Sequence, residues 1–164
     1  MLKHKDQRVG VFVDVSNMYH SAKNLYQKRV DFGEILKEAT ADRKLIRAIS
    51  YAIVTENEEE VSFFEALIQQ GYEVKVKDLQ VFAGGMKKAD WDVGIAVDTI
   101  KLADKLDVIV LVTGDGDYIP LVSYLQNTKG CLVEVLAFKQ STSKSLIEES
   151  DDFINLSNNK KFLR

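Results

Sequence analysis

The sequence predicts an α/β domain whose central, mostly parallel sheet is covered by helices on both faces. Two short runs, 9–15 and 108–112, are apolar at nearly every position, as strands buried on both faces are. Segments with helical spacing of apolar residues alternate with these and other strand-like runs along the chain. Alternating strands and helices of this kind form three layers joined by right-handed crossovers.

Each further element is predicted from a local pattern. Residues 72–77 alternate polar and apolar side chains as a half-exposed strand does, whereas 45–54 alternate first and then become continuously apolar. A helix over 90–105 is predicted from a buried stripe of five residues: Val93, Ala96, Val97, Ile100 and Ala103. The remaining predicted elements are helices at 18–27, 31–36, 119–127 and 143–150, a helix that ends at 71, and strands at 131–136 and 153–156.

The composition is that of one folded domain. The 164 residues suffice for a sizeable core, and we expect a single domain with its core at about 8–156 and a polar tail at 157–164. A formal net charge of −3 argues against nucleic-acid binding through bulk positive charge, although lysines and cations can offset an acidic metal site locally. With a single cysteine, no signal-peptide pattern and no long apolar run, we expect a cytoplasmic protein that does not span a membrane.

Four aspartates stand where predicted strands end or helices begin: Asp14, Asp92, Asp115 and Asp117. If the strands at 9–15 and 108–112 are neighbours, three of these carboxylates meet at the sheet edge where open α/β folds bind ligands, and Asp92 could supply the fourth. Carboxylates that close raise one another's pKa unless a cation neutralises them. Oxygen-only ligands suit Mg²⁺ or Mn²⁺, and a chain with two histidines and one cysteine offers little for zinc.

Each carboxylate also has a structural interpretation. Asp115 or Asp117 could cap the following helix, and Asp90 is a better cap for its helix than Asp92. Asp14 is harder to explain structurally, because a carboxylate at the end of a central strand needs partners. Asp98 lies about 240° around the helix from Asp92 at 100° per residue, so we expect it to support the site or the fold without sharing an ion.

Small polar residues flank the first and third carboxylate segments. Ser16 or Asn17 can cap the helix after the first strand, and Asn17 could instead orient a water or a phosphate near Asp14. Thr113 is expected to hydrogen-bond Asp14 or Asp115. These residues could therefore support the carboxylates without reacting themselves.

The segment before Asp92 offers candidate contacts for a nucleic acid. Lys87 and Lys88 end a glycine-containing loop predicted over 79–88, where they could contact substrate phosphates or only be solvated. Trp91 could stack on a base or pack in the core. The residues themselves leave both pairs of alternatives open.

Three segments in this order resemble the motifs of NYN-domain proteins of the LabA group: 14–17, 88–98 and 113–118. The resemblance covers about 8–140 and implies a PIN-like nuclease, a Rossmannoid sheet with an acidic Mg²⁺ or Mn²⁺ site associated with RNA cleavage. It implies metal-ligand roles for Asp14, Asp92, Asp115 and Asp117, with Asn17 as a polar member of the site. Nearly the whole chain is therefore expected to follow that fold.

The chain departs from the common motifs at three positions. Thr113 stands where serine is common, Tyr118 where phenylalanine is common, and Ala89 where glycine is common. An alanine at this position is expected to stiffen the loop before Asp92.

Two hypotheses about function follow. The first is a metal-dependent ribonuclease, in which a cation at the four aspartates activates water against an RNA phosphodiester. The second is a non-catalytic module that binds RNA or a protein partner and retains the acidic cluster. The residues do not distinguish RNA from DNA, whereas the lack of a P-loop argues against an NTPase. Apolar residues of the tail, with Phe82, suggest a homodimer.

Overall fold

A computed structural model describes residues 3–55, 57–81, 87–88 and 90–164. The elements in chain order are β1 (Arg8–Asp14), α1 (Val15–Tyr26), α2 (Phe32–Thr40), β2 (Lys44–Val54), α3 (Glu59–Gln69), β3 (Glu73–Asp78), β4 (Gln80–Val81), β5 (Lys87–Lys88), α4 (Asp92–Leu102), β6 (Val108–Val112), α5 (Ile119–Asn127), β7 (Leu132–Ala137), α6 (Lys144–Glu149) and β8 (Asp152–Asn155). Strands and helices alternate through most of the chain, as the sequence predicts.

Six strands form one sheet in the order β3-β2-β1-β6-β7-β8, and every pairing within it is parallel. At its centre β1 lies beside β6, with Val9 opposite Val108 and Val13 opposite Val112. Along the chain, β2 and β3 are added on one side of β1. The later strand β6 pairs with the other side of β1, and β7 and β8 are added beyond it. The strand order therefore reverses between β1 and β6, which is the position where open α/β sheets bind ligands.

Helices cover both faces of this sheet and form a core on each. On one face, α1, α2 and α3 pack against Val11 and Val110, and on the other, α4, α5 and α6 pack against Phe12 and Leu111. Successive residues of a strand point to opposite faces, which is why β1 and β6 are apolar almost throughout. The predicted three-layer α/β class is confirmed. Within the described ranges, no helix combines the length and apolar character needed to cross a bilayer.

The last residues of the chain differ from the polar tail expected at 157–164. Phe162 is only 3% exposed, and Val30 pairs with Leu163 in an antiparallel bridge. The Arg164 amide also donates a hydrogen bond to the Arg29 carbonyl at 2.7 Å. Phe162 therefore belongs to the core and offers no exposed contact for a homodimer, while Phe82 lies outside the described residues.

Candidate metal centre

Asp14 is both the last residue of β1 and the N-cap of α1. Its Oδ1 accepts a hydrogen bond from the Asn17 backbone amide at 3.3 Å. The expectation that Ser16 or Asn17 would cap this helix is wrong, because α1 already begins at Val15 and both residues lie in its first turn. Asp14 is 8% exposed. The central strand thus brings a carboxylate to the base of the crevice between β1 and β6.

The turn after β6 brings two further carboxylates beside it. Thr113 Oγ1 donates to Asp14 Oδ2 at 3.4 Å and accepts from the Asp115 amide at 3.2 Å, so both hydrogen bonds considered for Thr113 are present. Asp115 Oδ1 accepts from the Asp117 amide at 2.9 Å and caps the 3₁₀ turn Gly116–Tyr118. Neither aspartate caps α5, whose first residue is Ile119 and whose N-terminus has no side-chain cap.

Asn17 and the loop after β7 hold this turn in place. Asn17 Oδ1 accepts from the Gly114 amide at 3.0 Å, and the Gly114 carbonyl accepts from the Ser143 amide at 3.0 Å. A Cβ at position 114 would lie 2.8 Å from the Ser141 carbonyl oxygen, so the loop can approach this closely only over glycine. Asn17 therefore joins the first motif to the third. Its contact with a water or phosphate stays a prediction, and half-buried Ser16 makes no hydrogen bond to the carboxylates among the described residues.

Asp92 is the first residue of α4, and Trp91 fixes that helix against the sheet. The indole Nε1 donates to the Ala52 carbonyl in β2 at 2.9 Å, and the ring centroid lies 5.3 Å from that of Tyr51. A Cβ at Gly94 would lie 2.5 Å from Trp91 Cε3, so the ring folds over the first turn of α4 only because position 94 has no side chain. These contacts favour the packing interpretation of Trp91 over base stacking.

Gly94→Ala is expected to destabilise the protein by about 1–3 kcal/mol, because the added methyl group collides with the indole and shifts the N-terminus of α4. Trp91 is the only tryptophan, so its fluorescence reports the displacement, and urea denaturation gives the loss of stability. Val93→Ala in the same turn is a suitable control, since Val93 is 75% exposed. A Gly94→Ala protein with wild-type emission and denaturation midpoint would show that Trp91 does not fix α4 in this way.

Asp98 is not brought to the carboxylate cluster. Its Oδ2 accepts from the Tyr51 hydroxyl at 2.8 Å and from Lys75 Nζ at 2.7 Å, which ties α4 to β2 and β3. Asp98 therefore supports the fold from the sheet-facing side of the helix. The expectation that Asp90 caps this helix is wrong, because the N-cap of α4 is Trp91 and has no side-chain cap, although Asp90 Oδ1 accepts a hydrogen bond from the Asp92 amide at 3.2 Å.

Lys87 and Lys88 form the short strand β5. They pair in antiparallel fashion with Val81 and Gln80, so part of the segment predicted as a loop forms a two-stranded sheet. Their side chains and the whole of Ala89 lie outside the described part of the structure. Contact of these lysines with substrate phosphates stays a prediction.

Three carboxylates converge at this edge of the sheet. One oxygen each from Asp92, Asp115 and Asp117 lies within 4.8 Å of the other two. Ligands on opposite sides of an Mg²⁺ ion are about 4.2 Å apart, so small side-chain adjustments would let these oxygens share one ion. Asp92 and Asp115 are half-buried and Asp117 is exposed, which leaves the cluster open toward solvent. An oxygen-only set of this kind fits Mg²⁺ or Mn²⁺.

Negative charge is concentrated at this point. Burial raises the pKa of Asp14 to about 6, the hydrogen bond from the Asn17 amide opposes that rise, and the charges of Asp92 and Asp115 add to it. The pKa of Asp92 is also raised, first by burial and then by the neighbouring carboxylates. A cation in the crevice would remove this repulsion. No oxygen of Asp14 belongs to this group of three. Asp14 is more buried than Asp92, Asp115 or Asp117.

Tyr118 is a site residue to which the sequence analysis assigned no role. It is 2% exposed, and its hydroxyl donates to Asp14 Oδ2 at 3.4 Å. Hydrogen bonding to the same hydroxyl lowers the pKa of Asp92, and because a tyrosine hydroxyl carries one proton it donates to one of the two carboxylates at a time. The sequence feature that could have indicated a role for Tyr118 is its hydroxyl, at a motif position where phenylalanine is common.

The fold and the cluster together define an α/β domain with an acidic cluster at the switch point of a parallel sheet. The family model for the NYN domain matches residues 8–157, and this chain belongs to the NYN domain family. It is similar to the low amplitude and bright protein LabA of Synechococcus elongatus, with 25% identity over 170 aligned positions that cover 97% of this chain and 89% of LabA. It is also similar to a solved Vibrio parahaemolyticus protein of unknown function, with a TM-score of 0.90 and 31% identity over 100% of both chains.

Proposed function

We propose that this protein is a divalent-cation-dependent nuclease that hydrolyses phosphodiester bonds of RNA. The observation that carries the proposal is the convergence of three aspartate oxygens within 4.8 Å, from α4 and the turn after β6. This cluster lies beside the buried Asp14 at the reversal point of the sheet, in a chain of the NYN domain family.

The proposed roles follow from how deeply each of the four carboxylates is buried. Asp92, Asp115 and Asp117 would hold a Mg²⁺ or Mn²⁺ ion, and Asp14 would add the fourth carboxylate from below. When bound, the cation would activate a water and stabilise charge on the phosphate. Asp117 is exposed and so lies on the side from which a substrate arrives. Among the described residues the cluster contains no histidine, so carboxylates alone would orient the attacking water.

Substrate contacts are proposed at two places. Asn17 is held by Gly114 next to Asp14, where its amide could orient a water or a phosphate oxygen. Lys87 and Lys88 precede Asp92 in the chain and are proposed to contact the RNA backbone. Substitution of either lysine should weaken substrate binding and leave the cation site intact. Substitution of Asn17 also removes its hydrogen bond from the Gly114 amide and so disturbs the turn that carries Asp115 and Asp117.

Cleavage assays on the purified chain test this function. We expect an end-labelled single-stranded RNA to be cut with Mn²⁺ or Mg²⁺, to remain intact with a chelator, and to be cut faster than DNA of the same sequence. RNA binding without cleavage under any of these metal conditions would contradict the nuclease and support the non-catalytic module. Equal cleavage of DNA would contradict the choice of RNA.

A further inference from the structure

The Tyr118 side chain reaches the carboxylate site from within the core. Its ring packs with the apolar residues that α4, α5 and α6 bury against the sheet, and 2% of the residue is exposed. A tyrosine ring has only two side-chain torsions, so this packing fixes the position of its hydroxyl oxygen. That oxygen lies 3.4 Å from Asp14 Oδ2.

Asp14 is held by three donors from two segments of the chain, its own and the turn after β6. Oδ1 accepts from the Asn17 amide at 3.3 Å, while Oδ2 accepts from Thr113 Oγ1 and from the Tyr118 hydroxyl, both at 3.4 Å. Both Oδ2 donors are buried, each residue being 2% exposed, and the threonine hydroxyl also accepts from the Asp115 amide at 3.2 Å. Without Tyr118, Thr113 would be the remaining donor to Oδ2 among the described residues.

We propose that Tyr118 is a positioning residue whose hydroxyl holds Asp14 Oδ2 toward the oxygens of Asp92, Asp115 and Asp117 and thereby sets the affinity of the site for a divalent cation. The inference rests on the cation-dependent function proposed above. It concerns the hydroxyl and not the ring, since phenylalanine would fill the same volume in the core. Partners that orient metal ligands typically change metal affinity by about 10–100-fold when they are removed.

Mn²⁺ titration of Tyr118→Phe at pH 8 tests the proposal, with isothermal calorimetry as the readout. Tyr124→Phe is the matched control, because it removes the same atom from an exposed tyrosine on α5. We expect Mn²⁺ to bind Tyr118→Phe about 10-fold more weakly than wild type and to bind Tyr124→Phe with unchanged affinity. Denaturation midpoints measured with a chelator should show that both variants are folded.

RNA cleavage at rising Mn²⁺ concentration provides a second readout. Excess Mn²⁺ should restore the rate of Tyr118→Phe to near that of wild type, because the missing hydroxyl affects occupancy of the site and not its ligands. A folded Tyr118→Phe protein that binds Mn²⁺ within 2-fold of wild type overturns the role of Tyr118 and leaves the proposed function intact. A wild-type protein that binds no Mn²⁺ overturns both.

Discussion

Asp115→Asn should lower the rate of Mn²⁺-dependent RNA cleavage by at least about 100-fold while the protein remains folded. Asp115 supplies one of the three clustered oxygens, and asparagine removes its negative charge. The amide oxygen of asparagine can still accept the 2.9 Å hydrogen bond from the Asp117 amide, so the 3₁₀ turn keeps its cap. The loss would therefore report on the cation site and not on local unfolding.

Asp42→Asn is the matched control for this variant. Asp42 is exposed between α2 and β2, with φ at 58°, a left-handed conformation that asparagine adopts as readily as aspartate. The Asp42→Asn substitution removes one negative charge away from the crevice, so the rate of RNA cleavage should be unchanged. Wild-type cleavage by a folded Asp115→Asn protein would exclude Asp115 from the reaction.

Asp14→Asn should stabilise the metal-free protein at pH 7 by up to about 3 kcal/mol and at the same time weaken Mn²⁺ binding. The pKa of Asp14 rises from 3.8 to about 6, chiefly through burial, and each pKa unit corresponds to about 1.4 kcal/mol. Because the folded protein holds this proton more tightly than the unfolded chain, the contribution of Asp14 to stability is full below pH 3.8 and is lost as the pH rises through about 6. Asparagine carries no charge and avoids that loss.

Urea denaturation in the presence of a chelator at pH 4 and pH 7.5 checks this expectation. The stability advantage of Asp14→Asn over wild type should be small at the lower pH and near its maximum at the higher pH. Saturating Mn²⁺ should then stabilise wild type more than the variant. An equal advantage at both pH values, or a variant less stable than wild type at pH 7.5, would show that Asp14 is not a destabilising buried charge.

The architecture was predictable because its strongest signals are local. The runs that became β1 and β6 are apolar on both faces, and a strand with that pattern has to lie inside a parallel sheet. Because β1 and β6 are parallel neighbours, Asp14 and Asp115 follow their carboxyl ends at the same edge of the sheet, as predicted. The separation of Asp98 from Asp92 also followed from helix geometry alone.

Other features depend on contacts that no local pattern contains. Phe162 is buried because Leu163 pairs with Val30 far away in the chain. Asp14 caps α1 because the strand passes into the helix without a loop, which capping preferences at Ser16 and Asn17 do not reveal. The hydrogen bond of Tyr118 depends on how the core orients its ring, so only the packed structure shows it.

A crystal structure of the protein grown with Mn²⁺ tests most directly whether the four aspartates form a cation site. The expected result is an anomalous scattering peak between Asp92, Asp115 and Asp117, with ligand oxygens about 2.2 Å away and Asp14 turned toward the ion. A crevice without such a peak at saturating Mn²⁺, or a peak bound only by residues elsewhere on the surface, would contradict a metal-dependent function for this cluster.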